Sequence, residues 1–204
     1  MKLIKYTLFF AILLFTGSET VAQDKSEKSN VEKALSGFTF RSIGPAFMSG
    51  RIADIAIDPS NENVWYVAVA SGGLWKTTNA GTTWTPLTDN QSFYSTGCVT
   101  IDPHNNQKIW LGTGENVGGR HMGIGHGLFV SEDGGKTWKN SGLNQSEHIS
   151  KIIVHPNDPN TVWLASQGPL WSSGCECGLY KSTDGGVTWT NTLDINEWTG
   201  VTDL

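Results

Sequence analysis

Apolar and polar positions along the chain follow one pattern three times. Each copy opens with a short run of β-branched residues that ends at a proline turn, at 51–59, 96–103 and 149–156. A second apolar run follows each turn, at 64–70, 109–112 and 162–165, and it places Trp65, Trp110 and Trp163 in the same phase. Short β-branched runs bounded by turn residues are typical of strands.

Each copy continues with a glycine and a third apolar run, at 73–77, 127–131 and 178–182. It closes with the octet Ser/Thr-x-Asp/Asn-x-Gly-x-Thr-Trp, at 77–84, 131–138 and 182–189. The Asp or Asn oxygen can accept backbone N–H groups inside a tight turn, the Gly permits a positive φ, and the Trp covers the hairpin. We therefore assign a structural role to Asn79, Gly81, Trp84, Asp133, Gly135, Trp138, Asp184, Gly186 and Trp189.

Four strands in a repeated unit of about 50 residues are typical of a β-propeller. The sequence predicts an all-β fold with blades at about 50–92, 93–145 and 146–196. Residues 197–204 repeat the opening of a first strand, so we expect three blades, the start of a fourth and an incomplete ring. The chain would then be the N-terminal fragment of a longer protein, and the remaining blades of that protein would be its partners.

The octets resemble the Asp-box, or BNR, repeat of sialidases, xyloglucan-active glycosidases and sortilin-type propellers. Residues 38–45, Phe-Thr-Phe-Arg-Ser-Ile-Gly-Pro, together with 49–51, Ser-Gly-Arg, are similar to the start of large secreted bacterial proteins. Those proteins are grouped with the sortilin N-terminal domain and are often labelled glycosyl hydrolase. The resemblance covers 38–204 and implies the propeller fold, whereas the Asp-box serves hydrolases and receptors alike.

The first residues have the features of a signal peptide. Lys2 and Lys5 precede an apolar run at 6–16, and Thr20 and Ala22 suit signal-peptidase cleavage after Ala22. This run is too short for a bilayer span, which takes about 20 residues. We expect a signal peptide at 1–22, a flexible lead-in at 23–37, a folded part at 38–204 and export to the periplasm, the cell surface or the medium.

The charge of the chain limits its possible binding partners, and its cysteine content limits its possible disulfides. The 204 residues include 14 Lys and Arg against 19 Asp and Glu, so no basic surplus favours nucleic acid or an anionic membrane surface. Three cysteines exclude a disulfide scaffold. Cys175 and Cys177 are too close to bridge without strain, so either Cys98 pairs with one of them or all three are free.

A zinc site is the metal alternative. Cys175, Cys177, His121 and His126 have the right ligand chemistry, but Cys-x-Cys is shorter than the usual spacing of zinc ligands. We predict no metal and no cofactor.

Candidate binding chemistry lies in the two long loops at 112–126 and 166–177. In an antiparallel blade these loops share the face opposite the proline turns and the Asp-boxes, and irregular loops on a rigid scaffold commonly carry binding residues. We predict a binding site that contains Glu115, Arg120, His121 and Trp171.

Two functions are compatible with this arrangement. The first is a binding scaffold for an extracellular glycan, peptide or protein, as the sortilin resemblance implies. The alternative is part of a BNR-type glycoside hydrolase whose catalytic residues lie largely in the missing blades. Glycoside hydrolysis commonly needs two carboxylates across a cleft, and no catalytic set can be identified among the candidates Glu115, Glu176 and Glu197.

Overall fold

A computed structural model describes residues 35–38, 50–116, 121–174 and 176–204. The chain divides into two compact units, Met1–Ala46 and Phe47–Leu204. In the first unit, the described residues form one turn, in which the N–H of Phe38 donates to the carbonyl of Leu35 at 3.0 Å. The predicted signal peptide, most of the predicted lead-in and the segment 39–49 lie outside the described residues.

The described part of the second unit contains three four-stranded antiparallel sheets, each with its strands in sequential order. Sheet 1 consists of β1 (Ile52–Ile57), β2 (Trp65–Val69), β3 (Gly73–Thr77) and β4 (Thr85–Pro86). Sheet 2 consists of β5 (Thr96–Asp102), β6 (Asn105–Thr113), β7 (Leu128–Ser131) and β8 (Lys139–Asn140). Sheet 3 consists of β9 (Ile149–Val154), β10 (Val162–Ser166), β11 (Gly178–Ser182) and β12 (Thr190–Leu193). The predicted all-β propeller fold with four-stranded blades is confirmed.

The register of the second strands corrects one sequence prediction. Trp65 lies opposite Thr77, whereas Trp110 and Trp163 lie opposite Val130 and Lys181. Counted from the first residue of each Asp-box, the equivalent of Trp110 and Trp163 is therefore Tyr66. The predicted phase of Trp65 is wrong by one residue, and a shift of one residue turns a strand side chain to the other face of the sheet. Tyr66 and Trp110 are buried, while Trp65 is half-buried beside Trp84.

Two hydrophobic clusters hold the sheets together. One joins sheets 1 and 2 and contains Tyr66, Ala68, Leu74, Phe93, Val99, Ile101, Ile109, Leu111 and Phe129. The other joins sheets 2 and 3 and contains Cys98, Trp110, Leu128, Leu143, Ile149, Ile152, Val154, Val162, Leu164 and Tyr180. Each sheet is thus stabilised mainly by burial of apolar side chains against its neighbour.

The Asp-box turns and the proline turns lie on one face, as predicted. In every sheet an Asp-box N–H donates to a carbonyl in the turn between the first two strands or at the start of the second strand. The pairs are Ala80 to Asn63 at 3.0 Å, Gly134 to Gln107 at 2.8 Å and Gly185 to Asn160 at 2.9 Å. The loops after β6 and β10 therefore start at the opposite ends of their sheets.

Residues after β12 return to sheet 3. The N–H of Val201 donates to the carbonyl of Ser166 at 2.9 Å, and the hydroxyl of Ser150 donates to the carbonyl of Val201 at 2.9 Å. The start of β5 contacts sheet 1 similarly, because the N–H of Thr96 donates to the carbonyl of Ala70 at 3.1 Å. This segment is the start of a fourth blade.

The cysteines differ from both predicted alternatives. Cys98 is a free thiol buried in the cluster between sheets 2 and 3, and Cys177 is disulfide-bonded. Cys98 is therefore not in a disulfide, and the three cysteines are not all free. The reason is the inward orientation of Cys98 on β5, where burial raises the pKa of its thiol well above the ordinary value.

Candidate binding site

Two long loops and the segment after β12 form a groove on the face opposite the Asp-boxes. Its volume is about 590 Å³. The loop after β6, the loop after β10 and the segment after β12 supply its lining residues, which are Asn116, Met122, Gln167, Pro169, Leu170, Trp171, Trp198, Gly200 and Thr202.

Two tryptophans dominate the groove. The side chains of Trp171 and Trp198 are 79% and 69% exposed. Large aromatic rings are normally packed, because burial of apolar surface contributes about 25 cal/mol per Å². Two exposed rings in one concave site therefore indicate an interaction surface.

Backbone hydrogen bonds connect the two segments that carry these rings. The N–H of Gly174, in the loop after β10, donates to the carbonyl of Glu197 at 3.2 Å. The N–H of Trp198 donates to the side-chain oxygen of Asn196 at 2.9 Å, which fixes the turn just before the ring. The base of the loop is fixed by the N–H of Gln167, which donates to the carbonyl of His148 at 2.9 Å.

The described lining of the groove has no ionisable side chain. Its polar side-chain groups are the amides of Asn116 and Gln167, the hydroxyl of Thr202 and the indole N–H groups of Trp171 and Trp198. An apolar surface with a few neutral hydrogen-bonding groups favours a ligand that is itself neutral and rich in hydroxyl groups.

Glu115, one of the predicted binding residues, lies beneath this face and is fully buried. Its carboxylate accepts a hydrogen bond from the hydroxyl of Ser71 at 2.6 Å and another from the guanidinium of Arg51. Burial raises the pKa of Glu115, but these hydrogen bonds outweigh burial and hold the pKa below the ordinary value of 4.5. The carboxylate is ionised at neutral pH and connects sheet 1 with sheet 2.

The other predicted binding residues have different positions. His121 is exposed, and its carbonyl accepts a hydrogen bond from Arg51 at 3.3 Å. Arg120 lies outside the described residues. Of the three predicted residues that the structure describes, Trp171 lines the groove.

Sequence reasoning identified Trp198 as an aromatic residue outside the repeat on the loop-rich face, but the predicted site did not include Trp198, Asn116 or Gln167. For Trp198 a signal existed, because this tryptophan follows β12 and has no place in the repeat. The two amides carry no comparable signal, since their role depends on how the loops fold toward each other.

The acidic and metal-binding candidates lie elsewhere. The carboxylate of Glu176 accepts from the N–H of Gln145 at 2.8 Å, and neither Glu176 nor Glu197 lines the groove. The sulfur of Cys177 is engaged in a disulfide and is not available to zinc. Among the residues that the structure describes, no group of three or more His, Cys, Asp or Glu could hold a metal ion.

No helix in the described part of the chain is long and apolar enough to cross a membrane.

Comparisons with known proteins agree with the fold. The family model Sortilin-Vps10, described as "Sortilin, neurotensin receptor 3", matches residues 72–198. The crystal structure of an ancestral GH74 enzyme superposes with a TM-score of 0.54 at 24% identity, over 72% of this chain and 19% of that one.

Two curated relatives are fungal enzymes. The chain is 28% identical over 171 residues to a xyloglucanase of Hypocrea jecorina, a match that covers 77% of this chain and 19% of that enzyme. It is 26% identical over 159 residues to a probable oligoxyloglucan-reducing end-specific xyloglucanase of Neosartorya fischeri, with coverage of 72% and 18%. The chain therefore spans about a fifth of the length of these relatives.

Proposed function

The chain belongs to the Sortilin-Vps10 family, and from this premise we propose that it is an exported propeller segment that binds an extracellular polysaccharide through the Trp171–Trp198 groove. The observation that carries the proposal is the pair of exposed rings in a groove without ionisable lining groups. Sugar rings present apolar C–H faces that stack on aromatic side chains, and their hydroxyl groups exchange hydrogen bonds with amides and hydroxyls.

The ligand class is a neutral polysaccharide of the xyloglucan type. The chemistry of the groove supports this class over an acidic glycan, because no described lining residue can form an ion pair with a carboxylate. The xyloglucanase names of the relatives support the same class. A peptide or protein ligand has less support, since neither its termini nor its charged side chains would find a counter-ion in this lining.

A second candidate function has a specific observation in its favour. The relatives are glycoside hydrolases, and this chain spans about a fifth of their length. We propose that further Asp-box blades of a longer polypeptide complete the ring. In the hydrolase alternative those blades supply the catalytic carboxylates, and the groove contributes substrate binding.

The test is a titration of the protein with soluble xyloglucan, in which calorimetry measures the binding affinity. Trp171→Ala and Trp198→Ala should each weaken binding about tenfold, which corresponds to about 1.4 kcal/mol and agrees with the loss of one aromatic contact. Tyr94→Ala is the matched control, because Tyr94 is an exposed aromatic residue that does not line the groove.

Two results would contradict the proposal. One is unchanged affinity in both tryptophan variants, and the other is tighter binding of an acidic polysaccharide such as polygalacturonate. Release of new reducing ends from xyloglucan by the protein at its natural length would favour the hydrolase over the binding scaffold.

A further inference from the structure

A second cavity lies between sheets 2 and 3, beside the edge strand β8. Its volume is about 480 Å³. Residues of the second and third Asp-boxes line it, and it shares no described lining residue with the Trp171–Trp198 groove. We name it the β8 pocket, and the residues that define it are Val130, Trp138, Lys139, Ser141, Val187 and Trp189.

The pocket coincides with one position of the repeat that changes from leucine to serine. Leu87 and Ser141 are equivalent, since each stands three residues after the Trp of its Asp-box. The N–H of Leu87 donates to the carbonyl of Leu74 at 2.9 Å, and the N–H of Ser141 donates to the carbonyl of Leu128 at 2.8 Å. The two residues therefore have the same register in their sheets, and their side chains point toward the following sheet.

Leu87 fills the equivalent space between sheets 1 and 2. Its side chain packs against the hydrophobic cluster there, and a Cβ added to Gly135 in the next Asp-box would overlap its Cδ1 atom. Between sheets 2 and 3, the smaller side chain of Ser141 donates a hydrogen bond to the carbonyl of Gly186 at 2.6 Å. The β8 pocket therefore includes space that a leucine side chain occupies one blade earlier.

The walls of the β8 pocket suit an aliphatic side chain. Val130 and Trp189 pack against the cluster between sheets 2 and 3 but are only partly buried. Val187, which also lines the pocket, is 80% exposed. Because burial of apolar surface is favourable, a leucine-sized group from a ligand would be stabilised by covering these side chains.

The charge of the lining favours an acidic group on the same ligand. Glu132 lines the pocket and forms an ion pair with Lys108 at 3.4 Å. Lys139 also lines the pocket and is exposed, and it forms no ion pair with a described residue. An acidic side chain would therefore complement the positive charge of Lys139.

The free edge of β8 favours a polypeptide as the ligand. Lys139 and Asn140 of β8 pair with β7 on one side, and the other edge of β8 has no strand partner in the described part of the chain. Unpaired N–H and carbonyl groups of an edge strand can pair with an added extended peptide. Sheets 2 and 3 already face each other across the pocket, so its presence does not depend on further blades.

We propose that the β8 pocket binds an extended peptide of a partner protein, which inserts a leucine-sized side chain beside Ser141 and places an acidic side chain near Lys139. The peptide lies along the free edge of β8. This site lies on the Asp-box side of the molecule, and the inference does not rest on polysaccharide binding by the Trp171–Trp198 groove.

The test uses a fluorescent synthetic peptide with the sequence of residues 85–91, Thr-Pro-Leu-Thr-Asp-Asn-Gln. This probe contains the leucine that fills the equivalent space and an aspartate two positions later. Fluorescence anisotropy measures its binding to the protein purified at its natural length. A control peptide with alanine in place of the leucine should bind about tenfold more weakly, because it lacks the side chain that enters the pocket.

Variants of the protein locate the site. Ser141→Leu should weaken binding of the probe at least about tenfold, because the new side chain fills the pocket as Leu87 fills the equivalent space. Ser141→Ala is the matched control, since it removes the hydroxyl without filling the pocket, and it should keep the affinity of the unchanged protein. The melting temperature of each variant shows whether it is folded.

Two surface variants test the site without a change in the core. Val187→Glu, at a position that is 80% exposed, should weaken binding about tenfold, because it places a negative charge beside the acidic probe. Lys139→Glu should also weaken binding of this probe. The same variant should bind a peptide with lysine in place of the aspartate more tightly than the unchanged protein does.

Four results would overturn the inference. The first is no saturable binding of the probe at about 1 mM. The second is unchanged affinity in both Ser141→Leu and Val187→Glu. The third is displacement of the probe by soluble xyloglucan, which would assign the pocket to a polysaccharide. The fourth is a dimer in sedimentation that Ser141→Leu dissociates, which would assign the pocket to a second copy of the chain.

Discussion

The guanidinium of Arg51, just before β1 in sheet 1, donates a hydrogen bond to the buried carboxylate of Glu115, which follows β6 in sheet 2. The same guanidinium donates to the carbonyl of His121 at 3.3 Å, so it also fixes the loop that continues from Glu115. The Arg51 side chain is half exposed, whereas that of Glu115 is fully buried. The pair therefore links two sheets at the base of the loop-rich face.

Arg51→Ala should lower the free energy of unfolding by about 1–3 kcal/mol at pH 7, because it leaves a buried carboxylate with Ser71 as its remaining side-chain donor. The lower part of the range allows for solvent screening of the half-exposed arginine. Urea unfolding measures the change. Lys139→Ala, at an exposed cation on β8, is the control, and an equal loss in both variants would contradict the role of the ion pair.

The same pair predicts a pH dependence. Because the pKa of Glu115 lies below its ordinary value of 4.5, ionised Glu115 stabilises the folded state fully above that value. The stabilisation is lost as the pH falls through the folded-state pKa. The difference in melting temperature between the unchanged protein and Glu115→Gln should therefore be constant at neutral pH and shrink below about pH 4.5. A difference that stays constant throughout acidification would show that the carboxylate is not the stabilising group.

The Asp-box carboxylates should stabilise turns without contributing to ligand binding. In the third box, the carboxylate of Asp184 accepts from the N–H groups of Val187 and Thr188 at 3.0 and 2.9 Å. Hydrogen bonds from Thr188 lower the pKa of Asp184 to about 2. Asp184→Ala should lower the melting temperature, and Asp184→Asn should lower it less at pH 7, because Asn79 fills this position in the first box.

The pH dependence of the melting temperature provides a second test of these Asp184 variants. The depressed pKa means that the carboxylate stabilises the turn above its ordinary value of 3.8 and loses this effect as the pH falls toward 2. The melting temperature of Asp184→Asn should therefore fall less on acidification than the melting temperature of the unchanged protein. Xyloglucan binding by all three proteins at pH 7 is the control, and its loss in a variant with unchanged melting would mean that the two faces are assigned the wrong way round.

The repeat made the fold predictable from sequence. Three octets with one spacing locate three hairpins, and the strands around them follow from local turn chemistry. Trp171 could be singled out for a related reason, because it has no equivalent in the repeat. The wrong phase of Trp65 was avoidable from the sequence, because Trp110 and Trp163 each stand seven positions after the proline of their turn, as Tyr66 does, whereas Trp65 stands six positions after Pro59.

Contacts between sheets account for the other differences between the sequence predictions and the structure. Glu115 was predicted to bind a ligand because its loop is polar, but its burial depends on Arg51, which lies 64 positions earlier. Cys98 was considered as a disulfide partner, although its position on β5 turns its side chain into the core. Neither contact has a local sequence signal, because both depend on how two blades pack.

Two glycines provide a direct test of packing between blades. Gly81 and Gly186 occupy the same position of the first and third Asp-boxes, with φ of 87° and 90°. A Cβ at Gly81 would lie 3.5 Å from the rings of Trp65 and Trp84, an ordinary contact, whereas a Cβ at Gly186 would overlap the ring of Trp110 in sheet 2. Both Gly→Ala variants therefore carry the same backbone strain, of about 1–2 kcal/mol. The variant at Gly186 should lose about 1–3 kcal/mol more, because alanine overpacks the interface between sheets 2 and 3. Urea unfolding of the two variants measures this difference directly, and equal destabilisation would show that the Asp-box glycine serves the turn alone.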